Sequence, residues 1–275
     1  MILILLITII SGIIFLIISS KYEVKYNIVE NAYTKPKYSN HNYTSITFEN
    51  GLKLVLVQID TNDSAGGAIS FDYGYLDNKY DPGYIKLAFL SLKNYNIKND
   101  DYENYFGEFD YEIGKYYTSF YFQILGGGFK KYLKTFSKLT YIEKDDERFN
   151  NINESIDEMN LDYSTKRKKD DLFEYLIYGY HNATGYEIFP EGTDEIKDEL
   201  QEKNYEPIKN LMRALLSDPT KIKIVLYSHY KISTMKKIFL NYFRDIINKP
   251  KINNINNQMT LNAYNIRYII IAVMI

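Results

Sequence analysis

Almost every position from Met1 to Ser19 is apolar: the stretch reads MILILLITIISGIIFLIIS and carries no charge. As a helix it would be about 28 Å long, close to one hydrocarbon core, and it has no polar face to turn toward water. Residues 1–20 are therefore expected to be a signal-anchor or a signal peptide, with Ser19 and Ser20 as the small residues at which a cut would fall. Residues 1–19 would engage a membrane, and the body would be membrane-anchored or secreted through the secretory pathway. Lys21 and Lys25 follow with nothing basic before them. The positive-inside rule then favours a cytoplasmic body, whereas large domains often cross regardless of charge, so both orientations stay open.

Residues 21–42 are polar and irregular around Pro36 and read as a linker. A folded body is expected over 43–248, followed by a polar linker and apolar tail over 249–275, whose closing YIIIAVMI is too short to span a bilayer. Within the body, Ser45 to Phe48 and Leu52 to Gln58 are strand-like runs joined by Glu49-Asn50-Gly51, a hairpin signal. Asn62 to Gly67 interrupt the pattern, Ala68 to Tyr75 resume it, and Asp77 to Asp81 form a loop.

Asp81-Pro82-Gly83 opens a helix, with Asp as cap and Pro at the first position, and Ile85, Ala88, Phe89 and Leu92 give it one apolar face. A short helix from Asp100 to Phe109 and a strand from Thr118 to Leu125 are expected next. Phe129, Tyr132, Leu133, Phe136 and Leu139 mark an amphipathic helix, and residues 145 to 180 read as one or two long helices. A helix over Pro207 to Leu216, a strand over Lys221 to Tyr227 and a helix over Ser233 to Ile247 with Ser233 as cap complete the body. This order predicts an α+β fold, with helices packed on a mostly antiparallel sheet and an N-terminal apolar helix before it.

Composition narrows the chemistry. The 33 basic and 35 acidic residues leave a net charge of -2, spread along the chain, which disfavours nucleic acid as a partner. With no cysteine, disulfides, thiolate nucleophiles and cysteine metal sites are excluded. Only His41, His181 and His229 exist, and no two have the spacing that sets a pair of imidazoles on one helix face. The 29 tyrosines do not cluster and reflect composition rather than a site. Sequons at Asn42, Asn62, Asn153 and Asn182 suit a luminal domain and equally suit chance in an Asn-rich chain.

Other signals are weaker. Gly126-Gly127-Gly128 lacks the lysine and hydroxyl context of a phosphate loop and reads as a turn. Lys166-Arg167-Lys168-Lys169 is balanced by Asp170 and Asp171 and reads as a solvated helix face, and Asp145-Asp146 as a surface loop. His181 beside Asn182 and Ser228 beside His229 could be drawn into a catalytic set, but a Ser next to a His on a strand points to the opposite face, so that pairing reads as incidental.

Five collinear pieces carry a resemblance. FENGLKLVLVQ (Phe48 to Gln58), AISFDYGYLDNKYDPG (Ala68 to Gly83), KYYTSFYFQI (Lys115 to Ile124), ERFNNINESIDEM (Glu147 to Met159) and TKIKIVLYSHYKISTMKKIF (Thr220 to Phe239) resemble the N-terminal domain of insulinase-type metallopeptidases. His181 to Gly185 falls where the family has a loop, and the resemblance covers Ser45 to Phe243. It implies a zinc site built on an inverted His-x-x-Glu-His motif, with the glutamate as general base and a glutamate from a later helix as third ligand. Here the ligand positions fall on Lys86 and Leu90, the base on Phe89, and the third ligand on Ser155, or on Glu154 in the neighbouring register. Zinc is expected for the family, but on this alignment its ligands are missing and no cofactor is expected.

Family members also close a chamber with a second, similar domain and bind peptide by strand addition to a sheet edge. The resemblance thus implies a non-catalytic protein that binds a peptide or a second insulinase-like domain or subunit. The alternatives are a zinc-dependent endopeptidase subunit whose site another chain completes, and a degenerate fragment without activity.

Overall fold

The computed structural model describes residues 24–30, 41–74, 82–98, 107–114, 116–141, 154–158 and 206–251. The expected apolar helix over 1–20, most of the expected helices over 145–180, the basic run at 166–169, His181, Asn153, Asn182 and the tail beyond 251 lie outside these residues.

Seven strands form one sheet: β1 (Tyr26–Glu30), β2 (Asn42–Phe48), β3 (Lys53–Gln58), β4 (Ala65–Phe71), β5 (Glu108–Ile113), β6 (Thr118–Ile124) and β7 (Ile222–Ser228). Their spatial order is β1-β2-β3-β7-β4-β6-β5. Among the described strands β3 and β7 run parallel, and the other neighbouring pairs are antiparallel. Helices among the described residues include α1 (Pro82–Lys98), α2 (Phe129–Phe136), α3 (Glu206–Leu215), α4 (Ile232–Tyr242) and α5 (Arg244–Ile247). A mixed sheet with helices laid on it fits the α+β expectation.

The alternation in β3 shows why the sheet is central. Leu54 and Leu56 enter the main core with Ile69, Phe71, Phe120, Phe122, Ile224 and Leu226, and α1, α2 and α4 add Phe89, Phe129 and Phe239. Val55 and Val57 face the other way and cluster with Tyr43, Val225 and Tyr227. Strands buried on both faces read as unbroken apolar runs, which is why LVLV and IVLY lack polar interruptions.

The β2–β3 turn is locked by its own residues. Gly51 has φ 90°, a conformation that costs a residue with a Cβ. Asn50 is buried. Its Oδ1 accepts the Leu52 N–H at 3.1 Å, and its Nδ2 donates to the carbonyls of Ile246 and Ile247 at 2.9 Å and of Lys249 at 3.2 Å. One side chain therefore ties the first hairpin to the end of α5.

Several expectations are corrected. Part of the expected linker over 21–42 is strand β1, paired with β2 from Tyr26↔Phe48 to Glu30↔Thr44; an edge strand needs only one neighbour, so a weak apolar pattern suffices. The chain break ends earlier than expected, because Gly66 and Gly67 lie within β4, where an added Cβ at Gly66 would sit 2.3 Å from the Phe122 carbonyl oxygen and 2.6 Å from the Tyr227 ring. The helix expected to reach Phe109 gives way to strand β5, whose Glu-Phe-Asp-Tyr-Glu-Ile alternates with period two. Ser233 lies inside α4, whose cap position is Lys231, and the helix ends at Tyr242 before the separate turn α5. Residue 249, expected to open a linker, is held to the domain by Asn50 and by its own Nζ, which donates to the Leu216 carbonyl.

Candidate functional site

Helix α1 begins at Pro82, as its Pro-Gly start predicts. It differs from the expected amphipathic helix: every residue from Ile85 to Leu92 is buried. The sheet lies beneath it through Phe71 and Phe120, while α3 and β5 pack against its other sides. Such enclosure requires a helix apolar nearly all round. The Ser91 hydroxyl turns back on the helix, its Oγ donating to the Leu87 carbonyl at 2.8 Å.

The positions that the resemblance assigns to zinc chemistry lie on this helix. Phe89 is fully buried, its ring centroid 5.3 Å from that of Phe71 and 6.1 Å from that of Phe120. Leu90 is fully buried in the same core and Lys86 is 7 % exposed. A lysine, a phenyl ring and an isobutyl group thus occupy the positions that the resemblance assigns to the motif, and the phenyl and isobutyl groups carry no atom that could ligate a zinc ion.

Residues 154–158 are helical and pack against α1. Ser155 is 1 % exposed and turned toward α1, where its Oγ accepts a 3.0 Å hydrogen bond from Asn94 Nδ2, whereas Glu154 is exposed. One helical turn on, Glu158 reaches the same place: it accepts hydrogen bonds from Lys93 Nζ, from Tyr111 Oη at 2.8 Å and from Asn94 Nδ2 at 3.3 Å. The Lys93 ammonium also lies 4.6 Å from the Tyr111 ring centroid. Partial burial pushes the Glu158 carboxyl up, but the bonds from Lys93 and Tyr111, the Lys93 charge and the Asn94 bond outweigh it and hold it below the ordinary carboxylate value. The Glu158 carboxylate is therefore already occupied by three donors. Neither Glu158 nor its partners were singled out from sequence; the three-residue spacing of Ser155 and Glu158 on a helix was the available signal.

Two of the three histidines lie among the described residues, at the ends of different strands. His41 precedes β2 and His229 follows β7, with β3 between them. Among the described residues no group of three or more His, Cys, Asp or Glu is placed to hold a metal ion. Ser228 is fully buried and takes the Tyr230 N–H at 3.4 Å, while the His229 ring lies 4.3 Å from the ring of Tyr230. Gly126 to Gly128 form one tight turn leading into α2.

A second region with chemistry is the β5 edge. Glu108, Asp110 and Glu112 are exposed, and Phe109, Tyr111 and Ile113 turn inward. Gly114 donates its N–H to Tyr117 across the hairpin at 2.8 Å, so with alternating antiparallel bonds the amides of Ile113, Tyr111 and Phe109 point away from β6. The Tyr111 N–H is indeed taken by its neighbour's carboxylate, Asp110 Oδ1, at 2.7 Å. Asp110 Oδ2 accepts from Tyr121 Oη at 2.8 Å, and Glu112 accepts from Tyr117 Oη at 2.7 Å. Partial burial first, then the bond to Asp110 and the charges of Asp110 and Glu112, push the Tyr121 hydroxyl up to about 12. Burial, then Glu112, push Tyr117 up to about 12 as well. The helix expected through Phe109 concealed this edge.

A cleft of about 390 Å³ at the β2–β3 turn, lined by Lys25, Glu49, Asn50 and Lys249 among others, includes none of Lys86, Phe89, Leu90 or Ser155. Among the described residues no helix is long and apolar enough to cross a membrane.

No family model matches the chain, and no curated protein matches it in sequence. Solved structures do match its fold. Pitrilysin is similar over 82% of this chain at 15% identity, with a TM-score of 0.65. A protease from Helicobacter pylori is similar over 78% at 13% identity, with a TM-score of 0.57. The chain spans 25% of the length of pitrilysin and 52% of that of the protease. At such identities the likeness is one of fold, and the fold of this chain is insulinase-like, of the kind seen in pitrilysin.

Proposed function

We propose that this chain is a non-catalytic peptidase-like domain that binds an extended peptide, or an extended segment of a partner peptidase subunit, as an added strand on β5. The observation that carries the reading is the outward-facing Tyr111 amide on a terminal strand of the described sheet, held by its neighbour's carboxylate. Edge amides of this kind are what an extended ligand uses when it adds to a sheet. The non-catalytic part is supported by the side chains on α1: Phe89 and Leu90 offer neither a proton acceptor nor a metal ligand, and both are enclosed in the core. The resemblance of the remaining pieces to a peptidase domain supplies the ligand class. Residues 1–19 would deliver the domain to a membrane or into the secretory pathway.

The purified full chain, supplied with Zn²⁺ and a mixture of quenched fluorescent peptides, is expected to give no turnover. An octapeptide alternating lysine and valine is expected to slow hydrogen exchange at the Tyr111 amide. Zinc-dependent cleavage abolished by a chelator would sink the non-catalytic reading, and unchanged exchange at Tyr111 with every peptide tried would sink the binding edge.

A further inference from the structure

We infer that Asp110 is a latch on the β5 edge and that the segment able to release it is basic: an extended peptide with Lys or Arg at alternate positions. This inference rests on the strand-addition reading above and specifies its ligand. The carboxylates of Glu108, Asp110 and Glu112 stand in one row on the exposed side of β5, about 7 Å apart as alternate residues of a strand are. An incoming strand has the same repeat, and its side chains on that side come to within about 5.5 Å of this row. Cationic residues there meet opposite charge, acidic ones meet repulsion, and a second copy of the same edge repels itself.

The latch adds a kinetic and energetic reason for the same preference. An incoming strand needs the Tyr111 N–H, and that group is held by Asp110 Oδ1 at 2.7 Å. A neutral strand must displace the carboxylate and leave it with only its bond from Tyr121. A lysine or arginine beside Asp110 gives the displaced carboxylate a new charge-assisted partner as the edge opens.

A separate observation places a polar ligand group here. Ser119 lies opposite Glu112 in the β5–β6 register, on the same sheet side as Tyr121 and Glu112. It is 6 % exposed, and its Oγ has no hydrogen-bond partner among the described residues. A buried hydroxyl is rarely left so, and an ammonium or guanidinium lodged beside Glu112 would donate to it. Tyr121, 40 % exposed, adds a ring of the kind that stacks on cations. The opposite edge, β1, carries Asn27, Ile28 and Val29 at its centre and has no such row.

The test uses the full chain and three octapeptides in which valine alternates with lysine, glutamine or glutamate, with affinity measured by calorimetry and strand addition by exchange at Tyr111. The lysine peptide is expected to bind about tenfold tighter than the glutamine peptide at low ionic strength, the gap closing at about 1 M salt, where the screening length is about 3 Å. The glutamate peptide is expected not to bind. Asp110→Ala is expected to strengthen binding of the glutamine peptide and cut the lysine preference to about threefold or less. Equal affinity for lysine and glutamine peptides, with Tyr111 protected by both, overturns the basic ligand and leaves strand addition standing. An Asp110→Ala protein with an unchanged preference overturns the latch. If no peptide protects Tyr111, the inference and the reading beneath it both fall.

Discussion

The rings of Phe89 and Phe71 lie 5.3 Å apart at 46°, and this contact puts the position assigned to the general base inside an aromatic core rather than at a surface. Phe120 closes the same cluster at 6.1 Å from Phe89 and 6.2 Å from Phe71. Phe89→Glu should therefore be far more damaging than Phe89→Leu. The carboxylate enters a dry site with no partner, at a cost of about 4 kcal/mol or more, whereas the leucine keeps most of the volume at about 1.5 kcal/mol. Urea unfolding of the two proteins decides it, and equal midpoints would show that residue 89 reaches water.

Asn50 links residues almost two hundred positions apart in sequence, through Ile246 and Ile247. Asn50→Ala removes the side-chain partners of the Leu52 N–H and the Ile247 carbonyl and leaves the Ile246 carbonyl only the Lys249 N–H, and it is expected to cost about 3 kcal/mol. Exchange of the α5 amides, followed by mass spectrometry, should rise together with the loss of stability. A change confined to the β2–β3 turn would contradict the link.

Gly66 and Gly127 make a paired prediction. A methyl at Gly66 meets a carbonyl oxygen and an aromatic ring within van der Waals contact, while one at Gly127 meets nothing within 4 Å. Gly66→Ala is expected to lower stability by about 3 kcal/mol. Gly127→Ala should be neutral or stabilising by up to about 1 kcal/mol, because it reduces the freedom of the unfolded chain. Thermal unfolding of both variants checks the pair, and a tolerated Gly66→Ala would mean that β4 and β7 can separate.

Glu158 sets a pH dependence. Its folded pKa lies below the ordinary value of 4.5, so its contribution to stability is complete above 4.5 and disappears as pH falls through the lower folded value. The difference in unfolding midpoint between the wild-type chain and Glu158→Gln should be constant from neutral pH down to the carboxylate range and shrink below it. A difference that grows on acidification would reverse the sign and refute the assignment.

Tyr121 offers a spectroscopic check on the β5 latch. Its hydroxyl, held up to about 12 by partial burial and by Asp110, should titrate at lower pH in Asp110→Ala, moving part of the way toward 10.0. Ultraviolet titration of tyrosinate reports this directly. An unmoved alkaline transition would separate Tyr121 from Asp110 in solution.

Much of this architecture is visible in local pattern. The hairpin around Asn50-Gly51, the helix opening at Pro82, the strand over Thr118 to Ile124 and the strand-helix pair at the end of the body lie close to where periodicity and turn chemistry place them. The β5 strand was equally legible as Glu-Phe-Asp-Tyr-Glu-Ile, and a helix expected to run through Phe109 obscured its period of two.

Local sequence determined most of the strands and helices of the body, because hydrophobic period and turn chemistry follow from the order of side chains along the chain. Only the tertiary structure decided that β7 enters between β3 and β4, that Tyr26–Glu30 pairs with β2, that residues 85–92 of α1 are buried, and that Asp110 holds the Tyr111 amide. Those outcomes depend on pairings between residues far apart in sequence. Their free energy comes from surfaces and hydrogen-bonding groups that meet only once the chain has closed on itself.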